Sequence, residues 1–141
     1  MPATPTTAAR PPIILSTTDA ERLSDLAERM EHSAPKVAGL LLDELERAEV
    51  RPDHLVPAHV VGMEAVVEFV DEGRGAARTV QLVYPGDADI GEGKVSVFTP
   101  IGAGLIGLAA GQSILWPDRD GHERRLKIVR VARPRSGEGR A

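Results

Sequence analysis

Residues 82–116, LVYPGDADIGEGKVSVFTPIGAGLIGLAAGQSILW, decide the fold. An apolar strand ends at Tyr84-Pro85, an acidic loop follows, and KVSVF at 94–98 is a second short strand. Residues 100–108 are apolar with a face of small side chains, which predicts one short buried helix. Another apolar strand, 111–116, follows this helix. The stretch therefore predicts a strand, a loop, a strand, a helix and a strand in close succession.

The hexapeptide GAGLIG at 102–107 matches the dinucleotide fingerprint G-x-G-x-x-G. That fingerprint requires a strand, a tight turn and a long helix whose N-terminus faces a pyrophosphate. Here Thr99 and Pro100 follow the strand, and Gly111 ends the helix early. The chain after Gly107 is too short for a second mononucleotide unit. We therefore assign Gly102, Gly104 and Gly107 a structural role, in which they let the helix lie close to the sheet.

Alternating strands flank this stretch on both sides. Residues 63–70, 77–84 and 122–131 alternate apolar and polar side chains, with turn residues between them. Together with the strands above they predict an antiparallel sheet of about five strands with one short helix packed on it, an α+β fold.

Two amphipathic helices precede the sheet. Residues 17–32 contain Thr18 and Glu21 at capping-box spacing, and residues 33–50 begin with Ser33 as N-cap and Pro35 in the first turn. The apolar positions recur at helical spacing: Leu23, Leu26, Ala27 and Met30, then Ala38, Leu41, Leu42, Leu45 and Ala48. The pattern predicts an antiparallel helical hairpin with coiled-coil-like packing.

The organisation expected from these patterns is a disordered tail over 1–12, the hairpin over 13–52, the sheet domain over 53–133 and a second disordered tail over 134–141. The chain has 141 residues, no cysteine and a net charge of -4. Disulfides and thiolate metal sites are thereby excluded. No signal peptide and no apolar run of membrane-spanning length is visible, so we expect a cytoplasmic protein without membrane contact.

Candidate sites for metals or catalysis fail on spacing. The loop DADIGE, 87–92, has Gly91 fifth and Phe98 twelfth, where a calcium loop needs glycine sixth and glutamate twelfth. The four histidines share no ligand spacing, and no serine lies in a G-x-S-x-G elbow. We therefore expect no enzyme activity, no catalytic residue, no metal and no cofactor.

The end of the chain is basic, with eight basic and three acidic residues over 119–141. One interpretation is a solvated strand face followed by a loose tail. The other is contact with DNA through a set of cations: Arg124, Arg125, Lys127, Arg130, Arg133 and Arg135. Strict alternation would divide these cations between the two faces of a strand, which disfavours a focused patch.

In order and spacing the segments of 82–116 resemble the C-terminal domain of the bacterial Gre transcription factors. The matching segments are Val83-Tyr84-Pro85, Val95-Ser96-Val97, Thr99-Pro100-Ile101-Gly102 and Leu105-Ile106-Gly107. DAERL at 19–23 and LDELERAEV at 42–50 resemble the short-hairpin branch of the family called Rnk, named as a regulator of nucleoside diphosphate kinase. The resemblance covers about residues 13–133. Thr99 stands where serine is common, and Gln112 where an acidic residue is usual.

The resemblance implies an FKBP-like domain that binds RNA polymerase at the rim of the secondary channel, on a coiled coil of the largest subunit. The hairpin would then point into the channel, and the protein would act as a monomer. The contact residues implied are Phe98, Thr99, Pro100 and Ile101. An FKBP-like fold also leaves a peptidyl-prolyl isomerase as an alternative, but that class lines its pocket with aromatic residues, of which this domain has few: Phe69, Tyr84, Phe98 and Trp116.

Hairpin length decides between the activities of the family. Gre cleavage factors carry two carboxylates at the tip of a long hairpin, where they help hold a second magnesium ion. Arms of about 15 residues span only about 22 Å. The tip here consists of Met30, Glu31, His32 and Lys36, with one carboxylate. We therefore expect a non-catalytic regulator that competes with Gre-type factors, whose tip either is a solvated turn or touches the channel wall.

Overall fold

A computed structural model describes residues 12–72, 75–117 and 122–133. The predicted disordered tails lie outside the described residues except for Pro12, and so do the predicted turn at 118–121 and Arg135. None of the helices in the described part is long and apolar enough to cross a bilayer.

The helical hairpin is present. Helix α1 spans Thr17–Arg29 and helix α2 spans Pro35–Arg47, so each arm has 13 residues and a length of about 20 Å. Both predicted N-caps are wrong. Ser16, in extended backbone, caps α1 by accepting the Asp19 N–H at 3.0 Å. Ala34 precedes α2 without a side-chain cap, so Pro35 alone sets that start.

The inner face of α2 contains a carboxylate that the apolar pattern did not predict. Glu44 is fully buried, in line with Ala38 and Leu41. Arg47, one turn later, donates to both of its carboxylate oxygens, at 2.8 and 3.2 Å. The ion pair allows a charge in the core because the guanidinium fork fits the carboxylate in a bidentate arrangement.

The main sheet has five strands, Val66–Asp71 (β3), Ala76–Val83 (β4), Lys94–Ser96 (β5), Ser113–Pro117 (β6) and Glu123–Ala132 (β7). Their order in the sheet is β5-β4-β3-β7-β6. The pairs β3/β4, β3/β7 and β6/β7 are antiparallel as expected, but β4/β5 is parallel, so the sheet is mixed. A loop with 3-10 turns at Pro85–Asp87 and Ile90–Glu92 carries the chain back to run beside β4 in the same direction.

A second, two-stranded sheet joins the ends of the hairpin and was not predicted. Strand β1, Ile14–Ser16, enters α1, and strand β2, Glu49–Arg51, leaves α2; the two pair in parallel. The Ile14 N–H donates to the Gly107 carbonyl at 3.1 Å, so this ribbon is also bound to the second part of the chain.

One hydrophobic core serves the hairpin and the sheet together. Its members come from both: Leu15, Leu23, Leu26, Ala27 and Leu41, with Val67, Phe69, Leu82, Leu105, Ile114 and Ile128. The carboxylates of Asp19 and Asp53 also form hydrogen bonds between the hairpin and the residues that follow it. Asp19 accepts the Met63 N–H at 3.1 Å, and Asp53 accepts both the N–H and the hydroxyl of Thr18, at 3.1 and 2.5 Å. The hairpin and the sheet therefore pack against each other through a shared core and side-chain hydrogen bonds.

A β-bulge changes the distribution of charge along β7. The register with β3 shifts between Glu68 and Phe69, which brings Arg130 onto the outer face with Arg125 and Lys127. The sequence alternation alone would have placed Arg130 on the other face. Two of these arginines form ion pairs with acidic side chains: Arg130 with Glu68 at 3.3 Å and Arg125 with Glu72 at 3.8 Å. The patch is partly neutralised, which weakens the DNA-binding alternative.

Candidate functional site

The predicted docking segment, Phe98–Ile101, connects β5 to helix α3, Pro100–Leu105. Phe98 and Ile101 are partly buried and pack against the core, and Thr99 and Pro100 are half-buried. The helix is shorter than the predicted 100–108, because Ile106 is extended and Gly107 has a φ of 82°. The segment thus offers part of each side chain to solvent from a well-anchored backbone.

Two hydroxyl groups fix the conformation of the docking segment. The Thr99 hydroxyl donates to the Ser96 carbonyl at 2.7 Å and accepts the Gly102 N–H at 3.1 Å, so Thr99 caps α3. The Ser96 hydroxyl accepts the Phe98 N–H at 2.9 Å. The segment is therefore held in shape before any partner arrives, which lowers the entropy lost on binding.

Gly102 is required by close backbone contact. A Cβ atom at this position would lie 2.2 Å from the Ser96 carbonyl oxygen and 2.7 Å from the Val97 Cα. Both obstacles are main-chain atoms at the end of β5, so only glycine lets α3 approach this closely. The structural role predicted for Gly102 is confirmed, and its N–H serves the Thr99 cap.

The hairpin tip lies between α1 and α2. Met30 ends α1 and packs partly against the core, whereas Glu31, His32 and Lys36 are exposed. Ser33, the residue expected to cap α2, instead donates weakly to the Met30 carbonyl at 3.5 Å. Across the described ranges, no three His, Cys, Asp or Glu side chains are placed to hold a metal ion together. Glu31 is the carboxylate at the turn itself.

A groove runs between α1 and the turn that follows β4, and sequence reasoning did not find it. It has a volume of about 430 Å³ and is called the α1 groove below. It is lined by Arg22, Asp25, Leu26, Arg29, Tyr84, Pro85 and Gly86. The spacing of the α1 residues, i, i+3, i+4 and i+7, marks one helix face and was the signal available in the sequence. Tyr84 is the one aromatic residue among the described residues of this lining, and Phe69 is fully buried and does not line the groove. The groove therefore differs from the pocket of a peptidyl-prolyl isomerase, which is lined by several aromatic residues.

Tyr84 has an unusual hydroxyl at the edge of this groove. Its Oη is buried and has no hydrogen-bond partner in the described part of the chain. Burial, followed by the charge of Asp19, raises the pKa of Tyr84, while the neighbouring Arg22 guanidinium, which approaches the hydroxyl without hydrogen-bond geometry, lowers it. Buried hydroxyl groups normally have a partner, so this one stands out as an unused donor.

Glu64 lies close to the same region in a rare backbone conformation. Its φ is 72°, a left-handed value that side-chain-bearing residues seldom adopt. Its N–H donates to the Leu82 carbonyl at 2.6 Å, and its carbonyl accepts from the Gln81 side chain at 3.0 Å. Burial, with the charge of Asp87, raises the pKa of Glu64. These hydrogen bonds hold the strained turn that leads into β3.

Comparison with known proteins agrees with this architecture. The profile of the family "Transcription elongation factor, GreA/GreB, C-term" matches residues 56–133, and "Rnk N-terminus" matches residues 11–50. The chain is 34% identical over 123 residues to the Regulator of nucleoside diphosphate kinase of Escherichia coli (strain K12), covering 87% of this chain and 90% of that protein. It is 34% identical over 113 residues to the transcription elongation factor GreA of Methylobacterium nodulans, covering 74% of this chain and 72% of that protein.

A solved structure gives the same result in three dimensions. The prokaryotic transcription elongation factor GreA/GreB from Nitrosomonas europaea superimposes with a TM-score of 0.68 at 38% identity. The match covers 87% of this chain and 99% of that one. The chain therefore belongs to the GreA/GreB family of transcription elongation factors, in the branch that carries the Rnk N-terminal segment, and is a regulator of that type.

Proposed function

We propose that this protein binds RNA polymerase at the rim of the secondary channel through the docking segment, against the coiled coil of the largest subunit. The observation that carries the proposal is the conformation of Phe98–Ile101 in a member of this family. Thr99 and Ser96 hold the segment by side-chain hydrogen bonds, and part of each side chain remains accessible. Such preorganisation favours a binding surface over a loop that must order on contact.

The second part of the proposal is that the bound protein does not stimulate transcript cleavage. Two-metal chemistry needs oxygen ligands placed beside the reacting phosphate. Each arm of the hairpin is 13 residues, about 20 Å long, and its turn carries Glu31 beside His32. A short arm with one carboxylate supplies neither the reach nor the ligands that a second magnesium ion requires.

Occupancy is then the mode of action. A factor on the rim of the channel excludes longer Gre-type factors from the same place, and so changes elongation without chemistry of its own. An effect on nucleoside diphosphate kinase, the subject of the relative's name, would follow indirectly from altered transcription. The monomeric state, the boundary between hairpin and sheet at residue 52 and the FKBP-like character of the sheet remain predictions.

The test is equilibrium binding to core RNA polymerase, with and without a GreA competitor, alongside a transcript-cleavage assay. We expect mutual displacement and no acceleration of cleavage. Thr99→Ser keeps the capping oxygen and should retain affinity, whereas Thr99→Val removes it and should weaken binding about tenfold. Glu46→Ala is the control, since Glu46 is exposed on α2 outside both the docking segment and the tip. Failure to bind at micromolar concentrations, or binding unaffected by GreA, would contradict the proposal.

A further inference from the structure

We propose that the α1 groove is a second contact for the polymerase, and that it accepts a protein segment bearing a carboxylate beside an apolar side chain. The inference rests on the proposed function, because the same partner supplies the segment. It adds a contact formed by α1 and the turn after β4, next to the residues that the family resemblance implies.

The floor of the groove is apolar and rigid. Leu26 is 7% exposed and belongs to the hydrophobic core, and it lines the groove together with Tyr84 and Pro85. The volume of about 430 Å³ lies within the range of sites that enclose a ligand or an anchoring side chain. An apolar side chain of the partner fits this floor without rearrangement of the core.

The rims of the groove are basic. Arg22 and Arg29 are exposed, lie about 10 Å apart along α1, and have no ion-pair partner among the described residues. Guanidinium groups bind carboxylates in a bidentate manner, and arginine and tyrosine are the residue types that most often dominate interfaces. Asp25 lies between them on the same face, so a partner carboxylate must approach one end of the groove and not its middle.

The Tyr84 hydroxyl supplies an independent reason for a ligand. It is a buried hydroxyl without a hydrogen-bond partner in the described chain, and a tyrosine hydroxyl is protonated at neutral pH and so available as a donor. Arg22 lies beside it and is exposed, so the guanidinium can hold an acceptor next to the hydroxyl. A carboxylate held by Arg22 would satisfy the donor that the free protein leaves unused.

The groove adjoins the docking segment. The Val97 N–H donates to the Val83 carbonyl at 2.8 Å, where β4 and β5 end side by side. Tyr84 and Phe98 each follow one residue beyond this pair. A partner seated on the docking segment therefore lies close to the groove, and the charge of the rims favours an acidic segment.

The experiment measures the affinity of the full chain for core RNA polymerase at one salt concentration. Arg22→Glu and Arg29→Glu should each weaken binding about tenfold or more, since a like charge replaces the attraction. Tyr84→Phe should weaken binding about threefold while the thermal midpoint stays the same or rises, because it removes only an unpaired buried hydroxyl. Arg78→Glu is the matched control, an exposed cation on β4 outside the groove, and should change affinity by less than about twofold.

The outcomes separate this inference from the proposed function. Wild-type affinity in both arginine variants, with binding of the wild type intact, overturns the groove contact alone. Equal losses in Arg78→Glu show a general charge effect and also overturn it. Losses seen only when nucleic acid is bound to the polymerase identify the occupant as nucleic acid and contradict a protein segment. No binding by the wild type refutes the proposed function and the inference together.

Discussion

Replacing Gly102 by alanine tests the link between backbone packing and the docking segment. The added Cβ would meet the Ser96 carbonyl oxygen at 2.2 Å, the Val97 Cα at 2.7 Å and the Ser96 carbonyl carbon at 3.0 Å. All these atoms belong to the main chain at the end of β5. No side chain can rotate away, so α3 or β5 must shift.

The magnitude follows from two opposing effects. Overpacking in a dense interior costs about 1–3 kcal/mol, and rigid backbone obstacles place Gly102→Ala at the upper end. Alanine in a helix recovers roughly 0.5–1 kcal/mol relative to glycine. We expect a net loss of about 2 kcal/mol in the free energy of unfolding, together with displacement of Thr99, whose hydroxyl accepts the Gly102 N–H.

Urea unfolding measures the stability, and polymerase binding measures the displacement. With a slope of about 1–3 kcal/mol per molar urea, the unfolding midpoint should fall by about 1 M. Gly39→Ala is a matched control, because a Cβ at this position in α2 meets nothing within 4 Å. That change should raise stability by about 0.5–1 kcal/mol. If Gly102→Ala were as stable as wild type and bound equally well, the packing argument for the segment would be refuted.

Further predictions concern charge and strain. The hydrogen bonds from Thr18 hold the pKa of Asp53 below its ordinary value. This carboxylate therefore stabilises the fold above its unfolded-state pKa of about 3.9 and loses that effect as the pH falls through the lower folded value. The stability difference between wild type and Asp53→Asn should shrink in urea titrations at acid pH, and a pH-independent difference would contradict this. Arg47→Met should lower the free energy of unfolding by about 2 kcal/mol, because it takes a bidentate partner from the buried Glu44 carboxylate; Glu46→Met on the exposed side of α2 is the control and should be near neutral. Glu64→Gly should raise stability by up to about 1 kcal/mol by relieving the left-handed φ, and a decrease in the urea midpoint would show that the side chain supports the turn.

The sequence predicted the elements of this fold well because hydrophobic spacing is local. Both helices and the five strands follow from apolar residues at i+3, i+4 or i+2, as in the stripe of Leu23 and Leu26 or the alternation of 77–84. The caps were wrong because capping depends on the extended backbone of Ser16, which no spacing reveals. The parallel β5, the β1–β2 ribbon and the bulge that turns Arg130 all depend on long-range pairing.

The candidate site divides in the same way. The proposed docking segment and the tip are each contiguous in sequence; the family resemblance implied the docking segment, and both stay predictions. The positioning role of Ser96 needs hydrogen-bond geometry, and the α1 groove needs α1 placed against the end of β4. The burial of Glu44 was missed because a polar residue within an apolar stripe is normally assigned to the solvent side.

The shared core of hairpin and sheet limits how hairpins can be exchanged between relatives. Leu23 and Leu41 pack in the same cluster as Phe69 and Leu105, so a longer hairpin grafted at the turn keeps this contact, whereas one grafted at the base loses it. Lengthening is therefore tolerated at the Met30–Ala34 end, where Glu31 to Ser33 are exposed. On this scaffold we expect a hairpin to be lengthened by inserting whole helical turns at the tip, with the packed base left unchanged.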